Sequence, residues 1–179
     1  MAGQHAAGSA YQQVTLVGDS VLLGASPYLL RRLPGASVEA KVGRQGGEGL
    51  KLVQSLREQA LLGEAAVIHL GTNGYLSEKQ FRTLLEQLAH CRTVVVVNVY
   101  GARRWTGPNN ALIARLAPHF ENVRVVDWYA IGQANPAYFV QDFRRDHHLL
   151  CAGLARLGRE RHADGVANAF LQQDGQGRG

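Results

Sequence analysis

Short runs of apolar and β-branched residues recur along the chain, and each run is bounded by glycine, proline or polar residues. Runs of this kind predict β-strands. One of them, with the sequence TVVVVNV, is apolar almost throughout, as expected of a central parallel strand covered on both faces. The predicted strands are Val14–Val17, Ser37–Lys41, Ala65–Leu70, Thr93–Val99 and Val123–Asp127.

The segments between these runs carry apolar residues at helical spacing, which predicts amphipathic helices. Pro34 and Gly35 end the first of them. Ser77, followed three residues later by Gln80, is a capping-box pattern at the start of another. The predicted helices are Val21–Leu33, Glu48–Leu62, Ser77–His90, Asn109–His119 and, late in the chain, Leu149–Arg161.

Strands that alternate with helices predict βαβ units and a parallel sheet. Right-handed crossovers then place helices on both faces of that sheet. The predicted fold class is therefore α/β, as a three-layer α/β/α sandwich around a five-stranded parallel sheet. We place one domain at residues 14–170, after a flexible leader at 1–13 and before a frayed tail at 171–179.

The composition and charge of the chain argue against nucleic-acid binding. The chain has 179 residues and a net charge of +5, yet no basic run with interleaved aromatic residues, so we expect no nucleic-acid partner.

The first residues lack the basic start and apolar stretch of a signal peptide, and no apolar run reaches the length of a membrane span. Cys91 and Cys151 form neither a metal-binding spacing nor a disulfide framework, so both are expected to be small buried residues.

In a parallel α/β sheet, ligands bind beyond the carboxyl ends of the strands. The loops that follow the strands should therefore converge on one site. The first of these loops holds Gly18-Asp19-Ser20, the second holds Gly43-Arg44-Gln45, and the third runs from Gly71 to Gly74.

Ser20 has two interpretations, because serine at the start of a helix is either a cap or a hydroxyl placed for attack. Backbone N–H groups at a helix start favour negative charge, such as a tetrahedral oxyanion. Gly43 would let its own N–H approach a substrate, and the side-chain amide of Asn73 is a further donor; for both residues the alternative is a simple turn.

A hydroxyl nucleophile needs a base, and the base needs an orienting acid. The late segment QDFRRDHHLL supplies both residue types, with His148 or His147 as the base and Asp142 or Asp146 as the acid. The two adjacent histidines are not expected to bind a metal, because adjacent side chains rarely reach one ion. We expect no metal and no cofactor.

Four short blocks of this sequence resemble those of the SGNH (GDSL-like) hydrolases. They are VGDSV, VGRQ, HLGTNG and HLLCAG, in this order. By this resemblance the family's serine nucleophile is Ser20, its oxyanion glycine and asparagine are Gly43 and Asn73, and its histidine is His148. Arg44, beside Gly43, joins the substrate-binding candidates, with a surface charge as the alternative. The resemblance also implies a flavodoxin-like SGNH hydrolase fold.

The segments KVGRQ, HLGTNG and VNVYGARRW, with NNALIARLA, are similar to those of SGNH domains joined to membrane acyltransferases. Such domains O-acetylate peptidoglycan or other polysaccharides. The resemblance implies a serine-dependent esterase or O-acyltransferase acting on acetyl esters through an acyl-enzyme. It further implies a cell-wall or exopolysaccharide substrate, a membrane acyltransferase partner and an extracytoplasmic location.

The expected acid departs from the family pattern, in which an aspartate lies three residues before the histidine. Arg145 holds that position here, while Asp146 lies two residues before His148 and Asp142 six before it. Proximity favours Asp146, and the lead-in YFVQD favours Asp142. The altered spacing also motivates an alternative function, a catalytically impaired polysaccharide-binding or partner-docking domain.

Two further residues have expected structural roles, and a third has two interpretations. Asp19 should hold the turn before the helix rather than take part in chemistry, and His69 should be a packed core residue. Trp105, which follows Arg103 and Arg104, either stacks on a sugar in the substrate groove or anchors a solvated loop.

Overall fold

Five parallel strands form one sheet in the order β2-β1-β3-β4-β5. The structure is a computed structural model that describes residues 13–134. This strand order is the flavodoxin-like arrangement, in which the direction of winding reverses between β1 and β3. The strands are β1 (Val14–Gly18), β2 (Ser37–Ala40), β3 (Ala65–His69), β4 (Thr93–Val97) and β5 (Val123–Val126).

Helices cover both faces of the sheet, which confirms the predicted three-layer sandwich. Helices α1 and α5 pack on one face, and α2, α3 and α4 pack on the other. The helices are α1 (Ser20–Arg32), α2 (Gly46–Glu58), α3 (Glu78–Gln87), α4 (Thr106–Leu116) and α5 (Trp128–Ala134), and a short 3₁₀ helix (Ala117–His119) follows α4.

The core consists of two apolar layers separated by the sheet. Every residue of β3 and β4 is buried, which explains why these strands read as continuous apolar runs rather than alternating ones. Leu16 and Val67 contribute to the layer under α1, whereas Val17 and Ile68 contribute to the layer under α2, α3 and α4. Neighbouring residues of one strand thus point to opposite layers.

Helix α1 continues through a proline. Pro27 lies inside the helix and has no N–H to donate to the carbonyl of Leu23, four residues earlier. The hydroxyl of Ser26 donates to that carbonyl instead, at 2.8 Å. The adjacent serine therefore satisfies the acceptor that the proline leaves open.

The structure differs from the predicted elements at several ends; for example, α2 ends at Glu58 rather than at Leu62, and α3 ends at Gln87 rather than at His90. Helix α4 begins at Thr106 rather than at Asn109, because Pro108 is tolerated in the first turn of a helix, where its missing N–H has no partner to lose. Helix α5 was not expected at all. Ser77 caps α3 by position only, since its side chain makes no capping hydrogen bond.

Several predictions concern residues outside 13–134. The helix at Leu149–Arg161 and the domain limits at residues 1–13 and 171–179 lie outside the described residues. None of the helices between residues 13 and 134 is long and apolar enough to cross a membrane.

The end of β1 packs against α1 with no room for a side chain at Gly18. A Cβ atom at this position would lie 2.5 Å from Cβ and Cδ2 of Leu22 and 3.0 Å from the carbonyl oxygen of His69. Strand and helix can approach this closely only because residue 18 is glycine.

We predict that Gly18→Ala lowers the free energy of unfolding by about 1–3 kcal/mol, because the methyl group overpacks the contact with Leu22. Gly107→Ala is the matched control. Gly107 is exposed in the first turn of α4, and no heavy atom lies within 4 Å of the place a Cβ would occupy, so alanine there should be neutral or slightly stabilising. Urea denaturation followed by circular dichroism measures both values, and equal values for the two variants would contradict the packing argument.

Candidate active site

Ser20 is the first residue of α1 and comes directly after the turn that ends β1. Asp19, which is fully buried, is the N-cap of the helix, and its Oδ1 accepts a hydrogen bond from the N–H of Val21 at 3.0 Å. The cap is therefore the aspartate and not the serine. The capping role, which was the alternative interpretation of Ser20, belongs to its neighbour.

A second buried side chain supports this turn. Nδ1 of His69 lies 3.5 Å from Oδ1 of Asp19, and the carbonyl of His69 accepts the backbone N–H of Asp19 at 3.2 Å. His69 is 1% exposed, so the expectation of a buried core residue is confirmed. Burial by itself raises the pKa of Asp19. The charge of His69 and the hydrogen bonds from His69 and the Val21 N–H outweigh burial, so that the pKa lies below its ordinary value.

The second loop contains Gly43 and Arg44. Gly43 has φ of +75°, a conformation that favours glycine, and no heavy atom lies within 4 Å of the place a Cβ would occupy. Its backbone therefore borders open space. Arg44 is 8% exposed, and within the described part of the chain its Nε has no hydrogen-bond partner.

The third loop is joined to the second by side-chain amides. Nδ2 of Asn73 donates to the carbonyl of Arg44 at 3.4 Å. Nε2 of Gln45 donates to the carbonyls of Asn73 at 3.0 Å and Gly43 at 3.3 Å. Gln45 thus bridges the two loops. Its own backbone N–H is held by Oε2 of Glu48 at 3.0 Å, in the first turn of α2.

Two asparagines of α4 fix the loops that follow β3 and β4. Asn109 accepts the N–H of Leu76 at 2.9 Å and donates to the carbonyls of Gly71 at 2.9 Å and Gly74 at 2.8 Å. Asn110 accepts the N–H of Val99 and donates to its carbonyl, both at 2.8 Å. Backbone groups that have no partner in the sheet are satisfied in this way.

Strand register brings the three loops to one place. Gly18 of β1 pairs with Ala40 of β2 and with His69 of β3. Ser20 follows Gly18, Gly43 follows Ala40, and Asn73 follows His69, each within a few residues. The loops therefore leave the same edge of the sheet, at the point where the winding direction reverses, which is where ligands bind in such folds.

Comparison with known proteins gives the arrangement a context. The chain is 33% identical over 128 residues to O-acetyltransferase OatA of Staphylococcus aureus, an alignment that covers 71% of this chain and 21% of that protein. It is 33% identical over 130 residues to peptidoglycan O-acetyltransferase OatA of Listeria monocytogenes, covering 73% of this chain and 21% of that protein. The chain thus spans about a fifth of the length of the curated relatives it matches. No protein-family model matches it.

Solved structures share the fold. The C-terminal catalytic domain of Streptococcus pneumoniae peptidoglycan O-acetyltransferase A superposes with a TM-score of 0.74 at 22% identity, over 90% of this chain and 94% of that domain. A GDSL-like lipase from Bacteroides thetaiotaomicron superposes with a TM-score of 0.63 at 15% identity, over 90% of this chain and 89% of the lipase. The chain thus has the fold of the SGNH (GDSL-like) hydrolases and is similar in sequence to one segment of the OatA O-acetyltransferases. Its flavodoxin-like SGNH fold, expected from the four sequence blocks, is confirmed.

Three of the four SGNH blocks lie within the described residues. The structure brings the loops of Ser20, Gly43 and Asn73 to one edge of the sheet and joins the last two by hydrogen bonds. The fourth block lies outside the described residues, as do the candidate bases and acids His147, His148, Asp142 and Asp146. The assignment of the base and the acid therefore stays a prediction.

Of the other residues singled out in the sequence, Trp105 and its neighbours lie at the edge of the sheet that carries the site, whereas Cys91 lies at the opposite edge. Trp105 is half-buried and its Nε1 donates to the carbonyl of Thr72 at 3.1 Å, while Arg103 and Arg104 are exposed. Cys91 is buried near the amino end of β4, at the opposite edge, and burial raises the pKa of its thiol to about 11. In residues 13–134 no three acidic, histidine or cysteine side chains cluster as metal ligands would.

Sequence reasoning missed Gln45, Asn109 and Asn110 as residues that shape the site. Gln45 carried one usable signal, since a polar residue followed three positions later by Glu48 is a variant of the capping-box pattern. The two asparagines carried no such signal. Their partners are backbone groups that lie between 11 and 38 positions away in sequence.

We predict that Asp19→Asn makes the chain less stable than the wild type in a pH-dependent way. Asparagine keeps the cap to Val21 but removes the charge facing His69. Because the folded-state pKa of Asp19 is lowered, its contribution is present well above the ordinary value of 3.8 and is lost as pH falls through the folded-state pKa below it.

The measurement is the free energy of unfolding of both proteins by urea, between neutral pH and about pH 2.5. The same substitution in a His69→Phe background supplies the control, since the pH-dependent difference should shrink when the imidazole is absent. A wild-type advantage that stays constant over the whole pH range would contradict the role given to the aspartate charge.

Proposed function

We propose that this chain is the catalytic domain of a serine-dependent ester hydrolase or O-acyltransferase that handles acetyl esters through an acyl-enzyme. One observation carries the proposal. Ser20, Gly43 and Asn73 lie on three loops that leave one edge of the sheet from strands in register. A hydroxyl at a helix start, a glycine N–H beside open space and a side-chain amide are the groups that acyl transfer needs together.

In the proposed mechanism the Ser20 hydroxyl attacks the ester carbonyl while His148 takes its proton; His147 is the alternative base. Asp142 or Asp146 orients the imidazole and favours its charged form. The tetrahedral intermediate collapses to an acetyl ester of Ser20, and the imidazolium protonates the departing alcohol. Water or a sugar hydroxyl then attacks the same carbonyl in reverse order and releases the serine.

Oxyanion stabilisation would come from the backbone N–H groups of Ser20 and Gly43 and from the amide of Asn73. The Ser20 N–H lies at the first turn of α1, where the helix dipole favours negative charge. In the described structure one amide hydrogen of Asn73 makes a long bond of 3.4 Å to the Arg44 carbonyl, which sets the direction of the amide group. Because these donors are fixed before substrate arrives, they need no reorganisation during reaction.

Arg44 is proposed as a substrate-contacting residue. Its guanidinium belongs to a residue that is nine-tenths buried, and none of the described carboxylates lies within ion-pair distance of it. Nearby Glu48 is exposed and already bound by Lys41 at 3.3 Å and by the Gln45 N–H. The hydrogen bond from the Gln45 N–H and, to a lesser degree, the charge of Arg44 lower the pKa of Glu48, but Arg44 and Glu48 form no ion pair, so a negatively charged group on the substrate would give the buried guanidinium a direct partner.

The identity of the substrate rests on the relatives, which are named as peptidoglycan O-acetyltransferases. We propose a cell-wall glycan as the acetyl acceptor. Because the sequence resembles SGNH domains joined to membrane acyltransferases, we propose that a membrane acyltransferase partner supplies the acetyl group. Work on a cell wall further implies an extracytoplasmic location.

The first prediction for this mechanism is that Ser20→Ala abolishes hydrolysis of p-nitrophenyl acetate and Asn73→Ala slows it. Loss of the nucleophile removes the acyl-enzyme, whereas loss of one oxyanion donor typically costs about 10²–10³ in kcat. Mass spectrometry after treatment with a sulfonyl fluoride should show one adduct on the wild type and none on Ser20→Ala.

Equal activity of wild type and Ser20→Ala would remove Ser20 from the mechanism. Glycan binding with neither hydrolysis nor labelling would instead favour the alternative of a catalytically impaired polysaccharide-binding domain, which the altered spacing between acid and histidine first suggested.

A second prediction separates the two histidines. His148→Ala should lose most of the activity and the sulfonyl labelling, because the Ser20 hydroxyl is not activated without its base. His147→Ala is the matched control at the adjacent position and should keep both. The reverse outcome would transfer the role of base to His147, and loss in neither variant would exclude a histidine base from this segment.

A further inference from the structure

Tyr75 and Trp105 form an aromatic pair beside the proposed oxyanion loop. Their ring centroids lie 6.1 Å apart with an interplanar angle of 60°, an edge-to-face arrangement. Tyr75 is 57% exposed, the highest exposure of any large apolar or aromatic side chain in residues 13–134. It follows Asn73 by two residues on the same loop, so its ring lies at the site edge of the sheet.

This pair is held rigidly from several directions. Nε1 of Trp105 donates to the carbonyl of Thr72 at 3.1 Å, which ties the second ring to the loop that carries the first. Asn109 binds the backbone on either side of Tyr75, at the carbonyl of Gly74 (2.8 Å) and the N–H of Leu76 (2.9 Å). A ligand that stacks on Tyr75 would therefore require little ordering of the protein.

Single exposed apolar residues are common on protein surfaces and need no explanation. Tyr75 differs from Leu61, which is 51% exposed near the amino ends of the strands, because its ring is braced by a second aromatic and adjoins the reaction site. Arg103 and Arg104 are exposed on the loop just before Trp105, so positive charge borders the rings. An aromatic face with polar and cationic margins matches a pyranose ring, which has an apolar C–H face and hydroxyl or acidic groups around its rim.

We propose that Tyr75 and Trp105 are the acceptor subsite, on which a pyranose ring of the acceptor glycan stacks while one of its hydroxyls reaches the acetylated Ser20. This inference rests on the proposed function and adds to it the residues that bind the acceptor glycan. In the transfer step the bond from the sugar oxygen to the acetyl carbon forms and the bond from Ser20 Oγ to that carbon breaks. The proton of the sugar hydroxyl passes through the histidine base to Ser20 Oγ.

The experiment measures how much of the acetyl group on the enzyme is transferred to the sugar and how much is lost to water. The full chain is given p-nitrophenyl acetate as donor and a soluble β-1,4-linked N-acetylglucosamine oligomer as acceptor. Mass spectrometry quantifies the acetylated oligomer, and released acetate quantifies hydrolysis. The ratio of the two products is compared for wild type, Tyr75→Ala, Tyr75→Phe and Leu61→Ala.

We expect Tyr75→Ala to lower the ratio of transfer to hydrolysis about tenfold, as truncation of an aromatic binding anchor does. Tyr75→Phe should keep most of the ratio because it keeps the ring, and Leu61→Ala should keep all of it. Thermal denaturation of each variant identifies any loss that comes from unfolding.

Two outcomes would overturn the subsite: a wild-type enzyme that hydrolyses the donor but never acetylates the oligomer, or a Tyr75→Ala variant with the wild-type ratio. Failure of the proposed function is distinguishable from both, since it would appear as donor hydrolysis that persists in Ser20→Ala.

Discussion

Asp19 joins strand β1 to helix α1, since it follows the last residue of the strand and is the N-cap of the helix. Its backbone N–H binds the carbonyl of His69 on the neighbouring strand, and its carboxylate caps the N–H of Val21. The residue between the cap and Val21 is Ser20, so its position follows from hydrogen bonds made by the residues on either side of it. A change in this turn would move the serine relative to the loops of Gly43 and Asn73, whose positions depend on the same two strand pairings.

The sheet and its order of layers followed from the sequence because they depend on local patterns. Runs such as Thr93–Val97 are apolar on both faces, and only a central parallel strand buries both. Helix α5 could not be found in this way. It is short, with Trp128 and Gly132 as its buried residues, and it follows Asp127, whose Oδ1 accepts the N–H of Ala130 at 3.0 Å. A helix so short shows too few turns to establish a period.

In the candidate site, too, some residues could be identified from the sequence and others could not. Ser20, Gly43 and Asn73 were identifiable because each lies in a short block with characteristic neighbours. Asn109 and Asn110 were not, since what they do depends on which backbone groups the fold leaves without a partner near them. The sequence shows two adjacent asparagines in a helix that has a proline in its first turn. Only the folded chain shows that one holds the loop after β3 and the other holds the loop after β4 at Val99.

These asparagines also bear on how a site of this kind can favour a sugar over water. Water is always present at high concentration, so transfer needs an acceptor that is held in place long enough to attack first. A loop that had to become ordered around the sugar would use part of the binding energy for its own ordering. Here the loop that carries Asn73 and Tyr75 is fixed at Gly71, Gly74 and Leu76 by one buried side chain, Asn109. In the proposed mechanism the same three hydrogen bonds would hold the loop that presents both the Asn73 amide to the oxyanion and the Tyr75 ring to the acceptor, and so would couple the geometry of the chemical step to that of glycan binding.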